Sequence, residues 1–342
     1  SGWPTSQPLA LLCALLGIIG LRRYACRDFS WPLMARVRDP KKRIHVWHGE
    51  RGDGHLQFMY KPMMATLVSG FSSYKNISAW RMDVRIVPDH IHVNKYLHAW
   101  SLHKGDVFIW VGGHKGGEVP WQFLRQLGVY AIYYQSEPDG HCSTTFRQVN
   151  EMWQYAWRPL DLCKIQSVAP RQRYVPPGYF DANSVKSQQL DQPKPNFFGE
   201  PGFRRCYANV SASFEGQLNS AYNIWDFKAF TDYIQRHNVF INTHKGCGSQ
   251  DPVESVRLSL LLSANSLIIS AHSYKKDEEE FKGMVDFVPR DELYAAFNQL
   301  ASLSRSQRQA MAERRGRMFA QKFSPSAIFE RAGVYEMLDS FA

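Results

Sequence analysis

Between Val239 and Ser270 the chain gathers residues suited to holding an anion. His244, Lys245 and Gly246 end a short apolar run, Gly248 comes two residues later, and Glu254 and Arg257 follow. Lysine and arginine bring positive charge, glycines let backbone amides face a ligand, and a helix start adds partial positive charge of its own. Glu254 admits two readings. Three residues after Asp251, it fits a capping box with Asp251 as the cap and Pro252 as the first helical residue. As a carboxylate facing a cleft, it would instead accept hydrogen bonds from a ligand. His244 is equally a satisfied strand-end histidine or a ligand contact. A second group lies earlier: Glu50, Asp53 and His55, then His114, then Glu137, which are side chains able to take a proton. No D-x-D carboxylate pair closes a strand and the six cysteines lack metal spacing, so no metal is expected.

These residues need elements that bring them to one place. Val239–His244 is short, apolar and β-favouring, and Val253, Val256, Leu260, Leu261 and Ala264 recur at helical spacing up to a stop at Asn265. Leu267–Ser270 is strand again. A βαβ unit this compact is right-handed, and its ligands lie beyond the carboxyl ends of the strands. The same alternation runs from Ile44 onward. Strands are expected at 44–47, 82–87, 106–111 and 129–134, and helices at 62–71, with Pro62 in the first turn, and at 119–127. After the punctuated segment Arg173–Tyr179 and a polar linker, strands recur at 196–199 and 284–288 and helices at 226–235, 290–303 and 306–322. Alternating strands and helices of this length imply an α/β fold with parallel, doubly wound sheets. We divide the chain into an apolar segment and basic linker (1–43), a first Rossmann-like domain (44–180), a linker (181–195), a second Rossmann-like domain (196–323) and a tail (324–342) free to pack back on the first domain.

The chain has 342 residues, of which 44% are hydrophobic and 14% aromatic, enough to bury real cores. Its net charge of +10 suits an anionic partner, but the basic residues are scattered and no nucleic-acid-binding motif is present. Cys13, Cys26, Cys142, Cys163, Cys206 and Cys247 are expected to be mostly free thiols, with a disulfide or two left open. Pro8–Leu21 is a continuous apolar run, shorter than the roughly 20 residues that span a bilayer. It reads as a membrane anchor, a signal core or part of the fold, and leaves membrane-associated and cytoplasmic locations both open.

Four pieces, in this order and spacing, resemble a GT-B glycosyltransferase with a glycosyltransferase family 1-like C-terminal domain. They are Tyr133–Glu137, Tyr174–Gly178, Phe197–Arg205, and the stretch from Asn242–His244 through Glu254–Arg257 to Ile269–Ser270. The resemblance spans roughly residues 44–323. It implies two doubly wound domains facing a cleft, and transfer of a sugar from a nucleotide-diphosphate donor to a hydroxyl acceptor such as a glycan, with no cofactor. The donor side would be formed by Arg204, Arg205, His244, Lys245, Gly246, Glu254 and Arg257, with Glu254 accepting bonds from the ribose hydroxyls. A catalytic base would come from Glu137, Asp53 or Glu50. Retaining members often carry two glutamates separated by seven residues; here Gly246 and Leu262 stand where a partner of Glu254 would sit, so inversion and retention both stay open. A sugar-nucleotide epimerase on the same fold, and a non-catalytic nucleotide-sugar or glycan-binding protein, are the alternatives.

Overall fold

The structure is a computed structural model. It describes residues 41–50, 55–88, 102–112, 119–136, 147–165, 171–181, 186–199, 201–203, 206–221, 224, 226–244, 246 and 248–341. Six parallel strands form the first sheet: β1 (Lys42–Glu50), β2 (Trp80–Pro88), β3 (Val107–Val111), β4 (Tyr130–Gln135), β5 (Glu151–Gln154) and β6 (Gln172–Tyr174), in the order β2-β1-β3-β4-β5-β6. Five parallel strands form the second: β7 (Pro195–Phe198), β8 (Asn219–Ala221), β9 (Val239–Asn242), β10 (Leu267–Ala271) and β11 (Asp286–Val288), in the order β11-β10-β9-β7-β8. Counted within each half, the second sheet follows the order 2-1-3-4-5 and the first the same order with a sixth strand added at its end. Each reverses direction once, between β1 and β3 and between β7 and β9, and such switch points are where open α/β sheets bind ligands.

Parallel sheets are covered on both faces, and the first shows the expected alternation. Val107, Ile109 and Val111 of β3 face one core with Ile44 and Val46, while Phe108 and Trp110 face another with Trp47 and Tyr133. The first core is closed by α1 (His55–Ser72) through Met63, Leu67 and Phe71; the second by α2 (Trp121–Gln126) through Trp121 and Leu124. The helix expected at 62–71 is therefore longer, and Pro62 lies inside it. Its extension has a tertiary cause: the Phe58 ring packs on Phe198 and on Phe230 of the second half, at 6.3 and 5.7 Å. Strands β5, β6 and β8 were not anticipated. β5 carries Glu151 in a fully buried position, tolerated because Arg173 of β6 meets it at 2.7 Å, and β8 is the three polar or small residues Asn-Ser-Ala.

In the first half α3 (Trp157–Ile165) joins β5 to β6, and in the second α4 (Tyr207–Ser213), α5 (Phe227–Arg236) and α6 (Ser255–Ser263) follow β7, β8 and β9. Asp226 caps α5, accepting from the amides of Lys228 and Ala229. α6 is buried on every face and carries a serine at each fourth position toward the first half. Ser255 donates to the carbonyl of Tyr155 (3.1 Å), Ser259 donates to that of Gly178 (2.6 Å), and Ser263 Oγ accepts from the amide of Phe180 (3.4 Å). Asn265 ends this unit at φ +57°, as its position suggested.

After α7 (Lys275–Glu280) and α8 (Leu293–Ala301), the long α9 (Arg305–Lys322) opens on a capping box formed by Ser304 and Gln307. Ser324 and Pro325 then start α10 (Pro325–Arg331), and α11 (Val334–Asp339) follows. These last two helices lie on the first half. Phe329 packs against Phe71 and Trp153 at 4.8 and 6.1 Å, and Tyr335 donates to the Gly70 carbonyl at 2.9 Å. Arg173 joins its bond to Glu151 with one to the Gly333 carbonyl, and Lys42 reaches the carbonyl of Phe341. Cys163 and Cys206 each take part in a disulfide, the alternative left open beside free thiols; the fold sets such pairing, and linear spacing does not reveal it. No helix among the described residues is long and apolar enough to cross a membrane, and Pro8–Leu21 lies outside them.

Candidate functional site

At the carboxyl ends of β9, β10 and β11, a cavity of about 230 Å³ is lined by Thr243, His244, Ser249, His272 and Arg290, with Cys206 and Pro289 at its wall. Ligand clefts commonly measure roughly 300–1,000 Å³, so this space takes one moiety of a ligand. The His244 imidazole is held by the neighbouring strand: Nε2 donates to the Ala271 carbonyl at the end of β10 at 2.9 Å. Burial holds its pKa below the ordinary histidine value, with the Arg257 charge acting in the same direction against Glu254 and Asp251, so the ring is neutral. With Nε2 protonated, Nδ1 is an acceptor, and it has no partner among the described residues. The Thr243 hydroxyl is in the same position: 2% exposed and without a partner among the described residues. A buried polar atom without a partner costs on the order of 1–3 kcal/mol, so two side by side at a cavity mark a place that a ligand can satisfy.

The other walls are polar too. Arg290, just past β11, donates from Nη1 to Cys206 Sγ at 2.8 Å. His272, just past β10, pairs through Nδ1 with Glu278 Oε1 at 3.0 Å.

The capping-box reading of Glu254 does not hold. Helix α6 begins at Ser255, and Glu254 stands at the cap position with a side chain that makes no capping bond. Asp251 is used elsewhere: its Oδ2 accepts the Gly248 amide at 2.9 Å and lies 2.8 Å from where a Cβ on Gly246 would sit. The loop is thus closed on itself, and the Gly248 amide already has an acceptor. Glu254 Oε2 meets Arg257 Nη2 at 2.8 Å. Arg257 is inward-facing: Nη1 donates to Asn242 Oδ1 at 2.6 Å, the guanidinium lies 5.2 Å from the Phe197 ring centre, and Asn242 in turn donates to Ser270 at 2.9 Å. Gly199, at φ +139°, leaves space for it; a Cβ there would lie 2.7 Å from Arg257 Nη2. Arg257 therefore orients Glu254 and ties α6 to two strands.

His244, Gly246, Glu254 and Arg257 are thus brought together after β9. Lys245, Arg204, Arg205, Asp53, Glu137 and His114 lie outside the described residues, and so do the side chains of Glu50, which ends β1, and His55, which opens α1. Thr243, His272, Arg290 and Cys206 were not singled out from the sequence. They come from three strand ends and one loop, and only the order of the sheet makes them neighbours. Among the described residues no cluster of histidine, cysteine and carboxylate side chains could hold a metal ion.

No family model matches the chain, and no curated protein matches it. Solved structures do match. Anabaena Alr3699/HepE in complex with UDP-glucose aligns at a TM-score of 0.55 and 10% identity, over 86% of this chain and 99% of that one. The apo structure of OtsA aligns at 0.52 and 9% identity, over 88% and 99%. A putative UDP-N-acetylglucosamine 2-epimerase from Listeria monocytogenes aligns at 0.50 and 8% identity, over 88% and 97%. At such identity the likeness shows the fold: two Rossmann-like, doubly wound parallel sheets in the GT-B arrangement.

Proposed function

We propose that this chain binds a nucleotide-diphosphate sugar in its second domain and transfers the sugar to a hydroxyl acceptor, without a metal ion. The observation that carries the reading is the pair of buried, unpartnered polar atoms, Thr243 Oγ1 and His244 Nδ1, at the carboxyl end of a doubly wound sheet. They supply one donor-acceptor and one acceptor to a planar, polar group of modest size, such as a nucleobase. The neighbour solved with UDP-glucose supports the donor class. As the bond between sugar and diphosphate breaks, negative charge gathers on the leaving phosphate and must be stabilised. Arg290 at the cavity, with Lys245, Arg204 and Arg205, is assigned that work. Glu254, held by Arg257, is assigned the ribose hydroxyls. The acceptor hydroxyl gives its proton to a carboxylate of the first domain, chosen from Glu137, Asp53 and Glu50. The disulfides at Cys163 and Cys206 favour maturation in an oxidising compartment.

An epimerase is the second reading, favoured by the Listeria neighbour. One set of incubations separates the two: UDP-, GDP- and ADP-sugars with and without acceptors. Nucleotide released only with acceptor present indicates transfer, and a changed sugar indicates epimerisation. For the site itself, the nucleotide diphosphate that binds in calorimetry should keep its affinity in the presence of a chelator. Thr243→Val keeps the shape and removes the hydroxyl, and should weaken binding about tenfold, the worth of one buried hydrogen bond. Affinity that disappears with the chelator would overturn the metal-free mechanism; unchanged affinity in the variant would remove Thr243 from the site.

A further inference from the structure

Asp277 is 1% exposed, yet its carboxyl is the meeting point of backbone amides from both halves. Oδ1 accepts from the amide of Trp157 at 2.6 Å, in the first turn of α3 in the first half. Oδ2 accepts from the amide of Val253 at 3.3 Å, in the second half and one residue before Glu254. Around this core, Tyr274 donates from its hydroxyl to Asp161 Oδ2 of α3 at 2.9 Å, and Lys276 pairs with the same oxygen at 2.6 Å. The Tyr274 amide donates to the Asp251 carbonyl at 2.8 Å, and Asp251 closes the loop that carries Ser249 into the cavity. A continuous set of bonds thus runs from α3 through Asp277 to the loop holding Ser249 and Glu254. Burying a carboxyl is costly, and here burial pushes it up to about 7 against the pull of the amides. Two acceptor oxygens on one rigid group answer amides from two domains at once.

We propose that Asp277 is a positioning residue that locks the loop before α6 to the first domain, so that domain docking sets where the sugar end of the donor is held. This rests on the nucleotide-sugar reading above. The nucleotide end sits in a cavity built by the second domain alone, whereas the sugar must face a group from the first. Losing the lock should therefore spare nucleotide binding and impair what depends on both domains.

Asp277→Asn tests this. A carboxamide has a single acceptor oxygen, so it can hold α3 or the Val253 amide but not both. Calorimetry would compare a nucleoside diphosphate with its sugar conjugate, using whichever of the UDP, GDP and ADP sets binds wild type. The diphosphate should bind the variant within about twofold of wild type, while the extra affinity contributed by the sugar, and sugar turnover, fall at least tenfold. Equal losses for the two ligands, or no loss for either, would overturn the proposal and leave the nucleotide-sugar reading standing. Failure of wild type to bind any member of the three sets would overturn both. Should the variant not fold, amide hydrogen exchange on wild type decides. Trp157 and Val253 should gain protection together when the sugar nucleotide is added, and not with the diphosphate alone; equal protection with both ligands would overturn the lock.

Discussion

His45 sits between two carboxylates in β1, with Nδ1 3.1 Å from Asp83 Oδ2 and Nε2 at an ion-pair distance of 3.5 Å from Asp106 Oδ2. Burial alone would lower the histidine pKa, but Asp106 and Asp83 together raise it above the ordinary value. Burial would raise Asp83, but His45 and Arg85 bring it down to about 2. The signs then fix a pH window. The raised histidine contributes stability that is complete below about pH 6.5 and is lost as pH climbs through its folded value; the depressed aspartate contributes stability that is complete above about pH 4 and is lost toward pH 2. His45→Gln should therefore cost most between about pH 4 and 6.5, on the order of 2 kcal/mol given that Asp83 is partly open to solvent, and less on either side. Melting temperatures of both proteins across that range check it; a constant difference from pH 3 to 9 would show that the ion pairing contributes nothing. In the candidate site, His244, Gly246, Glu254 and Arg257 were legible in the sequence because one loop and one helix start carry them all. Asp277 and Thr243 were not, because what marks them is the absence of solvent and the arrival of atoms from elsewhere.

Elements meet most tightly at Gly178, in the segment that crosses between the sheets. Its amide donates to Thr66 of α1 at 2.7 Å, its carbonyl accepts from Ser259 of α6 at 2.6 Å, and the next amide, Tyr179, donates to the Phe323 carbonyl beyond α9 at 2.8 Å. A Cβ here would lie 2.6 Å from that carbonyl oxygen, which is backbone and cannot swing away. Gly178→Ala should cost about 2–3 kcal/mol in urea unfolding, the upper end of overpacking. Gly216, at φ +76° with open space around it, is the comparison: alanine there meets only backbone strain, about 1 kcal/mol. Costs equal at both sites would show that crowding at Gly178 is relieved by local movement. Core strands such as Val107–Val111 were legible because five buried apolar residues admit few other readings. Glu151–Gln154 was not, since its acidic residue becomes acceptable only beside Arg173, and the first turns of α1 needed Phe198 and Phe230 from the other half.

At the scale of the whole molecule, two sheets of like strand order share α6 as a common wall, and the last two helices return to the first. Alternation of strands and helices made that two-sheet plan legible, since each apolar run is short enough to be a strand. The return of the tail depends on Phe329, which is fully buried between Phe71, Trp153 and Tyr335, with Gly70 leaving room for its ring. Phe329→Ala should lower unfolding stability by about 3–5 kcal/mol, as for other fully enclosed aromatics. The lost near-ultraviolet signal of Trp153 should accompany it. A cost below about 1 kcal/mol would mean that α10 is only loosely seated.

The placement of Phe329 also governs the order of events at the ribosome. Phe71 and Trp153 emerge early, but the ring that covers them is translated only after the entire second domain. At roughly 5–20 residues per second, that interval is on the order of ten seconds or longer. Throughout it the nascent first domain shows an uncovered aromatic face to the cytosol or to a translocation pore. It is a ready substrate for holding chaperones, and a message cut short near its end yields a first domain that is never closed.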